Sequence, residues 1–271
     1  MNIKLTDIKK NACHLKVMGA FVQDPNPGVY GLEDNVIIMS NDASSLYPTI
    51  EILLNIGYET LFGRIYDVGI IDNLIKLLKA VEQNRNKGDA VKNQAIAAFT
   101  NAMQLLIKNY TSRKSVQNKK EFTNVNLNLA LKFFTKIMNF ILEGNSLESI
   151  FKPQSDKEYF LLKSNFYPLL EIINWLSEKN KGYSQLLIDY IYHPKMFYQK
   201  YAGKDIYLFT NINSTKVNFI KLNTLNIDDY LLNYVLSPYG VLFYKHNDKL
   251  AFAVQENIKG LKRRKKVKNA M

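Results

Sequence analysis

The stretch VIIMSNDASSLYPTIEILLNIGYETL, Val36 to Leu61, sets an aspartate between two apolar segments. Val36–Met39 is short, β-branched and bounded by turn residues, so it is expected to be a buried strand. Pro48 stands just inside the next segment. A proline is tolerated in a first helical turn, because the N–H it lacks would have no helical partner there. Strand, turn and helix are therefore expected in that order, with the carboxylate of Asp42 on the turn. Upstream, GAFVQDPNPGVYG (Gly19–Gly31) is punctuated by Pro25, Pro27 and Gly28 and reads as loop.

Downstream the pattern changes. Ile71, Leu74, Ile75 and Leu78 recur at helical spacing, as do Ile96, Phe99, Met103 and Leu106, and then Phe134, Ile137, Met138 and Ile141. NRNKGD (Asn84–Asp89) and SRKSVQNKKE (Ser112–Glu121) read as polar connectors. NFYPLLEIINWLSEKN (Asn165–Asn180) reads as a helix with Pro168 near its start. These apolar stripes predict a helical bundle. DIYLFTNINSTKVNFIKLN (Asp205–Asn223) predicts a β-hairpin around an Asn/Ser/Thr turn. NIDDYLLNYV reads as a short helix. GVLFYKHNDKLAFAV (Gly240–Val254) predicts a second hairpin turning at His246–Asp248. The expected fold class is α+β.

Of the 271 residues, 36 are Lys or Arg and 24 Asp or Glu, a net charge of +12. That balance favours a polyanionic partner. A single cysteine, Cys13, precludes an intramolecular disulfide and fits a reducing compartment. His14, His193 and His246 have no zinc-ligand spacing and are expected at structural or surface positions. The N-terminus MNIKLTDIKK lacks a signal-peptide core, and no apolar run is long enough to span a bilayer, so a soluble intracellular protein is expected. There is no GxGxxG, no Walker loop, no CxxC pair and no internal repeat.

NDASSLYPTI (Asn41–Ile50) resembles motif A of the family B DNA polymerases, D-x-x-S-L-Y-P-S-I. The likeness extends outward over Gly19–Ile50, which is similar to the palm entry of the T-even phage replicative enzymes. LNIGYETL (Leu54–Leu61) resembles the Asn-Ile-Ser-Pro-Glu-Thr segment that follows there. LSPYGVLFYKHND (Leu236–Asp248) resembles the Ser-Pro-Asn-Gly hairpin ahead of the fingers, and LKRRKKVK resembles the start of the first fingers helix. The resemblance spans roughly residues 17–65 and 228–271. It divides the chain into a palm segment with motif A (1–66), a helical insertion (67–204), β-hairpins returning to the palm (205–252) and the start of the fingers helix (253–271).

What the resemblance implies is a fragment of a split polymerase. Motif B, with its Asn-Ser-x-Tyr-Gly run, and motif C, with D-T-D, do not occur in the sequence. These and the exonuclease are then expected on other chains. Asp42 and the Ala43 carbonyl would be ligands to two Mg²⁺ ions shared with a partner chain. The backbone N–H groups of Ser45, Leu46 and Tyr47 would meet the dNTP phosphates, and Tyr47 would lie under the deoxyribose and exclude a 2′-hydroxyl. Arg264 and Lys268 would grip the triphosphate, with Lys245 and Lys249 on primer–template DNA. The setting implied is the cytoplasm of a phage-infected bacterium. Taken singly, each feature has a plainer reading. Asp42 would cap a helix, Tyr47 would be core, and the KRRKK run would be a solvated tail. A non-catalytic nucleic-acid-binding or replisome-docking module derived from a polymerase is the alternative function.

Overall fold

The computed structural model describes residues 46–66, 68–111, 119–177, 185–246 and 250–270. Its architecture is α+β. A five-stranded, wholly antiparallel sheet runs in the order β3-β2-β1-β5-β4. The strands are β1 (Leu61–Tyr66), β2 (Asp205–Thr210), β3 (Asn218–Asn223), β4 (Tyr234–Leu236) and β5 (Val241–Tyr244). The strand expected at Val36–Met39 lies outside the described residues.

The first described helix, α1 (Leu46–Leu54), holds Pro48 in its first turn, as the proline argument required. Between β1 and β2 the chain leaves the sheet and builds α2 (Val68–Asn84), α3 (Asp89–Thr111), α4 (Lys119–Leu142), α5 (Leu147–Phe151), α6 (Asp156–Leu161), α7 (Tyr167–Ser177), α8 (Gln185–Tyr192) and α9 (Pro194–Tyr201). Then come α10 (Ile227–Leu231) and α11 (Phe252–Ala270).

The periodic positions find their expected use. Ile71, Leu74, Leu78, Phe99, Met103, Phe134, Ile137, Met138 and Ile141 are all buried in one core, with Ile75, Ile96 and Leu106 packed against it. Phe99 and Phe134 stack at 4.1 Å with their rings nearly parallel. Alternation along β2 then sorts the sheet's two faces. Tyr207 and Phe209 point into this bundle, while Ile206 and Leu208 join Leu186, Phe197, Ile227 and Leu231 in a second core. Helices thus cover both faces of β2.

Two expectations need correction. The helix around Pro168 does not start there. It begins at Asp156, where Ser155 and Glu158 form a reciprocal capping box. It then passes through a π turn at Leu162–Phe166 into α7. The N–H of Tyr167 reaches five residues back to Leu162, and Pro168 has no N–H to place. A widened turn beside a proline lets a helix continue past it. The backbone N–H groups of Gln154 and Ser155 also hold the Glu158 carboxyl below its usual range.

The second correction concerns the last hairpin. It turns at Ser237–Gly240, joining β4 to β5, and not at His246–Asp248. Gly240 adopts φ +83°, a left-handed conformation suited to glycine, and a Cβ there would stand 2.6 Å from the Ile65 carbonyl oxygen. The alternating residues after Leu250 are helical. Ala251 and Val254 are fully buried at helical spacing, with Ile258 and Leu261 half-buried below them. The strand-like alternation was a coincidence of three small or apolar residues at a helix start.

Candidate functional site

The Leu54–Leu61 segment joins parts of the chain almost two hundred residues apart. Asn55 is completely buried and left-handed, at φ +52°. Its amide donates to the Tyr244 carbonyl at the end of β5 (2.7 Å) and accepts from the Ala251 N–H at the start of α11 (3.0 Å). Its own carbonyl accepts from the buried Thr60 hydroxyl at 2.6 Å. The Glu59 carboxylate accepts from the Phe252 N–H, satisfying one of the first-turn donors of α11. Gly57 permits the approach, since a Cβ there would lie 2.5 Å from that of Ala251.

These contacts fix how α1 and α11 run. Asn55 meets Ala251, and the Glu51 carboxylate accepts from the Asn257 amide, so the two helices are antiparallel neighbours. The His246 ring contacts the Ile52 carbonyl and ties the chain after β5 to α1. At 1.5 Å per residue, Tyr47 lies about 6 Å from Glu51 along one axis and Arg264 about 10.5 Å from Asn257 along the other. The N-terminal end of α1 and the basic half of α11 therefore point the same way. Arg264 stands a little beyond the level of Tyr47.

Of the residues singled out in the sequence, Leu46 and Tyr47 occupy the first turn of α1 and are 49% and 73% exposed. An open tyrosine at a helix start is not core. Arg264 is exposed on α11, and the backbone of Lys268 continues that helix one turn on, its side chain lying outside what is described. Asp42, Ala43, Ser45 and Lys249 lie outside the described residues. Lys245 is exposed, but its ammonium donates to the Leu232 carbonyl within the β4–β5 unit. Its position is accounted for by the hairpin. His193 and His246 are exposed.

Among the described residues, no three His, Cys, Asp or Glu side chains are grouped to hold a metal. A concavity of about 380 Å³ opens between Ile56, Tyr58, Arg64, Tyr167, Val241 and Phe243. Beside it, Glu171 on α7 accepts from Arg64 (2.8 Å) and from the Tyr66 hydroxyl, bolting the bundle to β1. Burial, then the Glu171 charge, raises the phenols of Tyr66 and Tyr167. Sequence reasoning passed over this group because Glu171 lies more than a hundred residues from Arg64 and Tyr66 and the three match no motif.

The Asn55 junction has a direct test. Asn55→Gly keeps the left-handed backbone but removes both side-chain hydrogen bonds, leaving buried groups unsatisfied. It is expected to lower stability by about 1–3 kcal/mol in urea unfolding. It should also speed amide exchange in the first turn of α11 more than in α4; equal effects on both helices would contradict the assignment of Asn55 to that junction.

No protein-family model matches the chain, and no curated protein or solved structure matches it either.

Proposed function

We propose that the chain is a subunit of a split DNA-dependent DNA polymerase, contributing one metal-binding aspartate and part of the dNTP site to template-directed nucleotidyl transfer. One observation carries the reading. The two blocks that resemble a family B polymerase, 17–65 and 228–271, are far apart in sequence, yet their described parts meet. Moreover Asn55, Glu59 and Thr60 match the Asn-Ile-x-x-Glu-Thr segment; Asn55 and Glu59 join the two blocks, and the Thr60 hydroxyl braces the Asn55 carbonyl. The helical stretch leaves and re-enters the sheet between those blocks, as an insertion would.

In this reading Asp42, four residues before Leu46, would end a strand ahead of α1. Asp42 would help to hold two Mg²⁺ ions, which would supply charge stabilisation to an in-line phosphoryl displacement. A hard cation takes oxygen donors, and Mg²⁺ uses only one or two carboxylates beside substrate phosphates and water. Asp42 and the Ala43 carbonyl suit that donor set, and partner chains bearing motif C would complete it. The first-turn N–H groups of Leu46 and Tyr47, together with that of Ser45, would bind the triphosphate as backbone donors. The Tyr47 ring would close the space beside the sugar C2′. Arg264 and Lys268, a turn apart on α11, would hold phosphate oxygens, the arginine through its planar fork. Primer–template DNA and chains with motif B and the exonuclease are the remaining partners.

Reconstitution with partner chains from the same genome tests each role. Asp42→Asn is expected to abolish nucleotide incorporation while leaving primer–template affinity intact; full activity would refute the metal assignment. Tyr47→Ala should admit ribonucleotides, read as incorporation of rNTP against dNTP; unchanged sugar selectivity would remove its role beside C2′. Arg264→Ala should weaken dNTP binding by about 1.5–3 kcal/mol, the range for a charged hydrogen bond. If Asp42→Asn keeps activity and the chain still binds nucleic acid, the docking-module alternative takes over. The exposed basic half of α11 is what favours that alternative.

A further inference from the structure

Helix α11 has two basic sides. At 3.6 residues per turn, Asn257, Leu261, Arg264 and Lys268 form one row, on the side where Asn257 meets Glu51 of α1. Lys259, Lys262, Arg263 and Lys266 form another row, spaced i, i+3, i+4 and i+7. Its mean direction is about 180° away around the axis. The polymerase reading employs only the first row and gives the second no task.

The second row is built to meet something large. The half-buried stripe ends at Leu261, and every residue from Lys262 to Val267 is exposed, so the side chains of this stretch reach solvent. The four cations span about 10.5 Å along the axis. The acid beside them is Glu256, whose carboxylate pairs with Lys259 at 2.8 Å, both side chains being about half exposed. The row therefore keeps a net charge of +3. Between Phe252 and Ala270, α11 carries seven basic residues and one acidic one, half of the chain's net +12.

We infer that this outer row binds the phosphate backbone of duplex DNA without reading its sequence, independently of the nucleotide site. Charge complementarity selects a polyanion. Phe252, exposed in the first turn, is the single aromatic of α11 and lies two turns before Lys259; from Ala253 to Met271 there is none, so no aromatic stands among the four cations on which successive unpaired bases would stack. An anionic bilayer would require a broad apolar face opposite the cations. The apolar edge of α11 is instead committed to the protein body at Ala251 and Val254, both fully buried. A rigid rod of exposed cations suits a backbone, which carries regular charge and a repeating groove edge.

The test uses the full chain alone and needs neither partner chains nor catalysis, so it is separable from the polymerase reading. Fluorescence anisotropy would follow binding of a fluorescein-labelled 24-base-pair duplex between 50 and 200 mM NaCl. The variant K262Q/R263Q/K266Q keeps good helix formers. It is expected to weaken binding at least about tenfold at 100 mM salt and to reduce the slope of log K against log salt by about 2–3. A charge-matched control on the bundle, K76Q/K79Q/K87Q, should change affinity less than about threefold. The inference is overturned if the control weakens binding as much as the α11 variant. It is equally overturned if the α11 variant binds like wild type, if the unpaired strand binds tighter than the duplex, or if phosphatidylserine vesicles are bound and the duplex is not.

Discussion

One buried amide holds the two ends of the described chain together. Asn55 has no exposed surface, so each of its polar atoms must be matched inside the protein or its burial would be costly. The matches are with Tyr244 and Ala251, which fixes the end of β5 and the start of α11 relative to the end of α1. Everything proposed for the site follows from that geometry. With Asn55, Gly57 and Glu59 in place, α11 has only one way to leave the sheet, and it leaves beside α1.

The sheet has a divided ownership that bears on function. β1, β4 and β5 with α1 and α11 form one part, and β2 and β3 form the part on which the chain re-enters the sheet after the long helical stretch. Yet β1 pairs with both β2 and β5, so neither part is a free-standing attachment. The Arg64–Glu171–Tyr66 group adds a polar bolt between them, and Phe166, Phe209 and Phe219 pack in mutual contact across the same junction. Motion of α11 relative to the bundle would therefore have to occur in the helix itself beyond Leu261, where no buried contact restrains it.

Much of this was legible in the sequence because the relevant forces are local. Helical periodicity found the bundle, since Ile71, Leu74, Leu78, Phe134, Ile137 and Ile141 each face the core at intervals set by the helix alone. The Asp205–Asn223 hairpin declared itself through β-rich runs around a polar turn. Failures came where a distant partner decided. Leu250–Val254 alternates like a strand, but Asn55 and Glu59, far upstream, cap and bury it as a helix. Pro168 looks like a start because the capping box ten residues earlier and the widened turn between them have no simple periodic signature. Motif likeness singled out Tyr47 and Arg264, whereas the joining roles of Asn55 and Gly57 emerge only from contacts across the fold.

The pairing of Tyr66 with Tyr207 brings the departure point of the helical stretch within one strand spacing of its return, about 5 Å. Roughly 140 residues are thus hung from a doorway the width of a hairpin turn. Such a doorway lets a lineage acquire or shed the whole stretch without rethreading any strand around it. The cost of shedding it is written on the sheet: Tyr66 and Phe209 would be left facing water, and any shorter descendant must find another cover for those two rings.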